Sequence, residues 1–93
     1  MPSAGSFSSI SGFVSIGIKT LVGAAQSITI TGGKIVFITA RGGDINFNLN
    51  SAASAATNLI PEGSTRPVYV ASGVTSLSVY GVAGTYADYE IYG

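Results

Sequence analysis

The stretch from Asp44 to Asn50 alternates apolar and polar residues without a break, and this pattern constrains the fold more than any other feature of the chain. In an extended chain, successive side chains point to opposite faces. One face therefore carries Ile45, Phe47 and Leu49, and the other carries Asp44, Asn46, Asn48 and Asn50. This arrangement predicts a half-buried β-strand with its apolar face against a core and its polar face in water.

A second strand is predicted immediately before it. The run from Lys34 to Ala40 is nearly continuously apolar and rich in β-branched residues, which is typical of a strand that is covered on both faces. Arg41-Gly42-Gly43 follows this run and offers glycines that can adopt positive φ. We therefore predict that residues 34–40 and 44–50 form a hairpin.

Further short strands are predicted on both sides of this pair. In residues 10–19, Val14, Ile16 and Ile18 share a face with Ile10 and are predicted to point inward, in a strand near a sheet edge. The remaining predicted strands are residues 26–31 with Ile28 and Ile30 inward, residues 68–71 opened by Pro67, residues 74–80 and residues 85–92. Gly32-Gly33 is predicted to be a turn, residues 51–57 a loop and residues 59–61 a bend.

These seven segments, separated by glycine-rich turns and without helical periodicity, indicate the fold class. They predict an all-β chain, a single-domain antiparallel β-sandwich or jelly-roll-like small barrel that spans residues 10–93. Residues 1–9 are small and polar apart from Phe7. We expect them to form a flexible N-terminal arm that uses Phe7 to tie the domain to a neighbouring subunit; a tail without a role is the alternative.

Charged residues are scarce. Four Lys/Arg and four Asp/Glu make up 9% of the chain and cancel to a net charge of zero, whereas an ordinary soluble domain carries about 25% charged residues. Together with 46% hydrophobic residues, this predicts that the isolated chain self-associates and that partners cover much of its surface in the working state. The alternative is a neutral domain that Ser, Thr, Gly and Asn keep in solution.

The composition also argues against several function classes. Histidine and cysteine are absent, which removes imidazole and thiolate chemistry, disulfides and most zinc sites. The four basic residues are scattered along the sequence and offer no footprint for nucleic acid. Residues 13–21 are interrupted and too short to span a membrane, and the first six residues lack the pattern of a signal peptide. We predict no catalysis, cofactor, metal, nucleic-acid or membrane partner, and assembly in the cytoplasm.

Two places in the sequence partly match the pattern of a metal site. Asp44, Asn46 and Asn48 imitate the start of a calcium loop, but Leu49 and Ala55 stand where that loop needs glycine and a bidentate glutamate. Asp88 and Glu90 share one strand face but supply too few ligands for a cation. Neither place is predicted to bind a metal.

Four residues of the domain are candidates for partner binding. Alternation along residues 85–92 puts Tyr86 and Tyr92 on the face opposite Ala87, Tyr89 and Ile91, and so predicts an exposed tyrosine pair. With Asn46 and Asn48 on the polar face of their strand, these tyrosines would suit contact with another protein subunit, because tyrosine is enriched at interfaces. A sugar-binding surface built from the same residues is the alternative.

The order of these segments resembles a known class of proteins. The features that carry the resemblance are Gln26-Ser27-Ile28-Thr29-Ile30 before Gly32-Gly33, Gly43-Asp44-Ile45-Asn46-Phe47, the small-residue loop before Leu59-Ile60-Pro61-Glu62-Gly63, and Val74-Thr75-Ser76-Leu77-Ser78-Val79 before a last strand. Over residues 26–92 this pattern is similar to small all-β structural virion proteins of tailed bacteriophages, of the head decoration (cement) type.

The resemblance implies a function. It implies a β-sandwich or jelly-roll-like subunit without catalysis, assembled in the host cytoplasm and carried in the virion. Such a subunit would bind the outer face of the shell through the major capsid protein or another virion protein, and would bridge neighbouring capsid subunits as a homo-oligomer, with a trimer favoured. The alternative hypothesis is a carbohydrate- or receptor-binding module of a phage fibre or spike.

Overall fold

The structure, a computed structural model, describes residues 12–30 and 32–93. These residues form eight strands: β1 (Phe13–Thr20), β2 (Gln26–Ile28), β3 (Lys34–Arg41), β4 (Ile45–Leu49), β5 (Asn58–Ile60), β6 (Thr65–Val70), β7 (Leu77–Tyr80) and β8 (Tyr86–Tyr92). The predicted all-β fold class is confirmed, with β5 added where a bend was predicted. The predicted arm of residues 1–9 with Phe7, and the predicted inward position of Ile10, lie outside the described residues.

The strands form two four-stranded antiparallel sheets, in the orders β1-β8-β3-β6 and β2-β7-β4-β5. The pairs β1·β8, β2·β7, β3·β6 and β4·β5 are those of a chain folded once on itself at the β4–β5 connection. The pairs β3·β8 and β4·β7 then roll this long hairpin into two layers. The result is a double-sheet jelly roll.

Apolar side chains of both sheets fill the space between the layers. The largest fully buried apolar residues are Leu21, Val36, Ile38, Ile45, Ile60, Val70, Leu77 and Val79. Ile28 and Ile30 are also buried, which confirms the predicted inward face of residues 26–31. Ile45 and Phe47 are buried and Leu49 packs against the same core, so the predicted apolar face of β4 is confirmed as well.

The hairpin predicted between residues 34–40 and 44–50 is wrong. β3 and β4 lie in different sheets, and Gly42 and Gly43 carry the chain from one layer to the other. A Cβ at Gly42 would lie 2.6 Å from the carbonyl oxygen of Gly84, so this crossing passes against the β7–β8 connection, which also changes sheets. A pair of glycines permits a tight change of direction, but the long-range pairings of β3 with β8 and β4 with β7 decide where the chain goes.

The predicted faces of β1 are reversed in the structure. Val14, Ile16 and Ile18 point outward and are 49%, 67% and 63% exposed. Gly17 instead pairs with Tyr89, which packs against the core, and a Cβ at Gly17 would lie 2.5 Å from the Tyr89 hydroxyl oxygen. The Tyr89 ring from β8 therefore fills the inner side of β1 at Gly17, and Val14, Ile16 and Ile18 of β1 are left outside.

β3 also departs from prediction. Val36, Ile38 and Ala40 are buried as expected, but Ile35 and Phe37 on the other face are 40% and 37% exposed. The described part of the chain thus covers β3 on one face and not on both. Pro67 lies inside β6 rather than at its start, which is tolerated because β6 is an edge strand.

Candidate interaction surface

The outer side of the β1-β8-β3-β6 sheet is an apolar surface. Antiparallel partners share a face, and the register places Ile16 and Phe37 opposite Glu90, Ile18 opposite Asp88, and Ile35 opposite Tyr69. Ile16, Ile18 and Tyr69 are each more than 60% exposed. We call the outer side chains of Ile16, Ile18, Ile35, Phe37 and Tyr69 the apolar face.

A shallow groove lies on this surface. It encloses about 750 Å³ and is lined by Ile16, Ile18 and Phe37 together with Thr39, Thr65, Asp88 and Glu90. At one end of the groove the hydroxyl oxygens of Thr39 and Thr65 are 2.6 Å apart in a hydrogen bond. The groove is therefore apolar along β1 and β3, with polar groups on β8 and at one end.

One of the two carboxylates on this face is already neutralised. Arg41 donates from Nε to Asp88 Oδ2 at 2.8 Å and from Nη2 to Asp88 Oδ1 at 3.1 Å, in a bidentate ion pair. The guanidinium carbon of Arg41 also lies 4.3 Å from the centre of the Tyr86 ring. Hydrogen bonding to Asp88 raises the pKa of Arg41 above its ordinary value. The Asp88 carboxylate thus adds little net charge to the surface.

The second carboxylate has a weaker partner. Tyr92 donates its hydroxyl to Glu90 Oε1 at 3.1 Å, and its ring meets the Phe37 ring edge to face at a centroid distance of 5.7 Å. Desolvation, followed by this hydrogen bond, raises the pKa of Tyr92. Arg41 and Asp88 form the one ion pair found among the described residues. Glu90, which lies between Ile16 and Phe37, therefore has no cationic partner in that part of the chain.

The outer side of the β2-β7-β4-β5 sheet is built differently. Its β4 and β7 side chains are the polar Asn46, Asn48, Ser78 and Tyr80, and the loop of residues 50–57 folds across them. Asn46 donates from Nδ2 to the Thr57 carbonyl at 2.9 Å, and Ser78 Oγ accepts from the Ala53 amide at 2.9 Å. Asn46, Ser78 and Ala53 are all buried as a result. We call this side the loop-covered face.

The loop-covered face corrects the predicted role of the asparagines. Asn46 is only 8% exposed and its amide is used to hold the loop, so it is not available to a partner. Asn48 is half-buried, and its Oδ1 accepts a hydrogen bond from the Leu49 amide at 3.0 Å. Asn46 therefore belongs to the internal structure of its sheet, whereas a partner contact of Asn48 stays a prediction.

The predicted tyrosines lie on the other sheet. Tyr86 and Tyr92 are half-buried on the outer side of β8, as the alternation predicts, while Ala87 and Ile91 are buried. They stand at opposite ends of β8, which puts their Cα atoms about 20 Å apart. The four predicted residues therefore do not form one site. Phe7, the fifth, lies outside the described residues.

Sequence reasoning missed the residues that make the apolar face. Ile16, Ile18 and Phe37 were predicted to be covered, because apolar residues in strands are usually buried. The signal that could have found them is the distribution of large apolar residues: β3 carries them on both of its faces, whereas one face of a strand meets the core of a two-layered fold. Within the described ranges, no group of three or more acidic residues is placed to hold a metal ion.

Comparisons with known proteins bear on the fold. No family model matches the chain, and no curated protein does so either. Among solved structures, the chain is similar to a de novo designed double-stranded β-helix determined by solution NMR, with a TM-score of 0.56 and 14% sequence identity over 85% of this chain and 97% of that one. In the described residues, no helix is long and apolar enough to cross a membrane. The structural similarity supports the two-layered, rolled arrangement of the strands and says nothing of function.

Proposed function

We propose that this protein is a non-enzymatic structural subunit that attaches to a larger protein assembly by burying its apolar face. The observation that carries this proposal is the exposure of Ile16, Ile18 and Tyr69 on one continuous sheet surface. Contiguous apolar surface of this kind marks interaction sites on soluble proteins. Fully burying one such side chain contributes about 1.5–3 kcal/mol, so burying the five residues of the apolar face together would offset much of the cost of association.

The charges on the apolar face indicate the chemistry of the partner. Asp88 is paired internally with Arg41, whereas among the described residues Glu90 has the hydroxyl of Tyr92 and no cation. Burying Glu90 against a purely apolar surface would leave a charge without a counterion, which is costly. The partner surface that fits is therefore an apolar protein surface that brings one Lys or Arg opposite Glu90.

The resemblance noted above suggests which assembly this is. We take the partner to be the major capsid protein or another virion protein of a tailed bacteriophage, and the role to be that of a decoration or cement subunit on the outer shell. Jelly rolls occur in viral capsid domains as well as in other classes, which supports this assignment at the level of fold. The scarcity of charge, at 9% of residues, supports a surface that is covered in the assembled state.

Particle binding tests the proposal with two matched substitutions. Tyr69→Lys introduces a charge on the apolar face, and Leu59→Lys introduces the same charge at an exposed position on the outer side of the other sheet. We expect wild-type protein and Leu59→Lys to cosediment with intact phage particles, and Tyr69→Lys to bind about tenfold more weakly or worse. Melting temperatures should agree among the three proteins.

Two results would contradict the proposal. Equal occupancy of the two lysine variants on particles would show that the apolar face is not the attachment surface. Reproducible binding to a glycan array would favour the carbohydrate-binding alternative, although the separation of Tyr86 and Tyr92 on β8 and the burial of Asn46 speak against it.

A further inference from the structure

The four edge strands of the two sheets differ in how well they are protected against pairing with another chain. β2 and β5 have three residues each, and β6 contains Pro67. β1 has eight residues, no proline, and β8 as its paired strand among the described residues. Short strands, prolines, lysines and bulges are the usual devices that block edge-to-edge association. β1 has only Lys19 and the bulge between Phe13 and Ser15 near its two ends, so among the described residues it is the least protected edge.

The hydrogen bonds of β6 show that Pro67 is placed to block its edge. The carbonyls of Ser64 and Val70 accept from the amides of Ala40 and Gly33 at 3.1 and 2.6 Å, so both point toward β3. Backbone groups in an antiparallel strand alternate between its two sides. Pro67 is three residues from Ser64 and three from Val70, so its nitrogen points to the opposite side of β6, away from β3. The N–H that proline lacks is therefore a donor missing from the free edge.

On β1 the alternation leaves donors and acceptors that no other described strand pairs with. The amide of Leu21 donates to the carbonyl of Thr85 at 3.0 Å, on the side of β8. By alternation, the N–H and C=O groups of Ile16, Ile18 and Thr20 point to the free side of β1. A bulge between Phe13 and Ser15 limits the regular part of the strand to residues 15–20.

We propose that β1 pairs antiparallel with β1 of a second copy, about a twofold axis through Gly17. Keeping the same face outward on both copies requires an outer residue to stand opposite an outer residue, and this register places Ile16 opposite Ile18 of the second copy. Each Lys19 then stands opposite Ser15 of the other copy, so the pairing brings no like charges together.

The pairing has a structural consequence. The two β1-β8-β3-β6 sheets become one eight-stranded sheet, and the two apolar faces become one surface. This oligomer is a twofold dimer in place of the trimer that the resemblance implies, and it does not depend on the proposed attachment to a virion. Tyr69→Lys on β6 tests attachment to the larger assembly, whereas Ile18→Pro on β1 tests pairing between two copies. Either proposal can therefore fail while the other holds.

Sedimentation of the purified chain tests the pairing. We expect a species of twice the chain mass of 9.3 kDa for wild-type protein at micromolar concentration. Ile18→Pro removes one amide donor from the free side of β1 in each copy, and should raise the dimer dissociation constant about tenfold or more. Ile18→Thr loses the same isoleucine but keeps the amide, and should remain closer to wild type. Circular dichroism should report the same strand content for all three.

Cross-linking tests the register and does not depend on the proline variant folding. The chain has no cysteine, so Ser15→Cys with Lys19→Cys gives two symmetry-related oxidisable pairs across the dimer, and the two positions are too far apart along one strand to join within a copy. We expect disulfide-linked dimers from the double variant and none from either single variant. Wild-type protein that sediments as a monomer or a trimer would overturn the proposal. So would a dimer that survives Ile18→Pro but is lost with Tyr69→Lys, which would place the second copy on the apolar face.

Discussion

The two outer surfaces of this jelly roll differ in the polarity of their side chains and in whether a loop covers them. The loop-covered face has polar residues and is closed by the chain itself, since Asn46 and Ser78 hold the loop of residues 50–57 through Thr57 and Ala53. The apolar face has large hydrophobic residues and no such cover in the described ranges. In an isolated domain the reverse would be expected, with the cover over the apolar residues. This difference supports the proposal that another molecule covers the apolar face.

The largest effect that separates the two faces is expected from a charge placed under the loop. Ala53 is 4% exposed against the outer side of the β2-β7-β4-β5 sheet, and its neighbour Ala52 is exposed. Ala53→Asp should lower the free energy of unfolding by about 1–3 kcal/mol, because the carboxylate is either buried without a partner or lifts the loop from its hydrogen bonds. Denaturant unfolding of Ala53→Asp and of the control Ala52→Asp measures this. Equal stability of the two variants would mean that the loop is not docked.

A smaller effect is expected from removing one hydrogen bond that anchors the loop. Asn46→Ala eliminates the bond to the Thr57 carbonyl, which should cost about 1 kcal/mol. Asn48→Ala is the matched control on the same strand, because Asn48 bonds only to the amide of the next residue in the described contacts. Thermal unfolding should show a lower midpoint for Asn46→Ala than for Asn48→Ala. If Asn48→Ala proved the more damaging, the Asn46 amide would not be the group that anchors the loop.

The β4 strand shows what the sequence could predict. Its alternation of Ile45, Phe47 and Leu49 with asparagines identified both the strand and its inner face, because one set of residues is apolar and the other is polar. The role of Asn46 was not predictable in the same way. Nothing local shows that a loop eleven residues further on will return to bond its amide.

The β1 strand shows where local patterns mislead. Alternation distinguishes two faces of a strand but does not say which one meets the core. In β1 the small residues Ser15 and Gly17 face inward because Tyr89 of β8 needs the space, and this pairing spans more than seventy residues of sequence. Similarly, Gly42-Gly43 is compatible with a hairpin and with a crossing between sheets, and only the long-range pairing of β3 with β8 decides between them.

A near-zero effect on folding is expected from removing an aromatic side chain from the apolar face. Tyr69 is 64% exposed, and substitutions at such positions change stability by less than about 0.5 kcal/mol. Tyr69→Ser should therefore unfold at nearly the wild-type denaturant concentration, while the solubility limit of the protein rises because exposed apolar area is lost. A loss of stability comparable to that of Asn46→Ala would show that the apolar face supports the fold, and would weaken the argument that a partner covers it.

The last expected effect is confined to alkaline pH, and it concerns the hydrogen bond between Tyr92 and Glu90. Desolvation and this bond raise the pKa of Tyr92 in the folded protein, so the folded state holds the phenolic proton more tightly than the unfolded state does. A raised pKa of this kind contributes stability that is fully present below the unfolded value of 10.0 and is lost as the pH rises through the folded value. Unfolding midpoints should therefore be level through neutral pH and fall in the alkaline range. Tyr92→Phe keeps a ring to pack on Phe37 but has no proton to lose, so its midpoints should fall less steeply there. If the unfolding midpoints of the two proteins fell equally steeply with alkaline pH, Tyr92 would be as solvated in the folded state as in the unfolded chain. Its hydrogen bond to Glu90 would then be absent in solution.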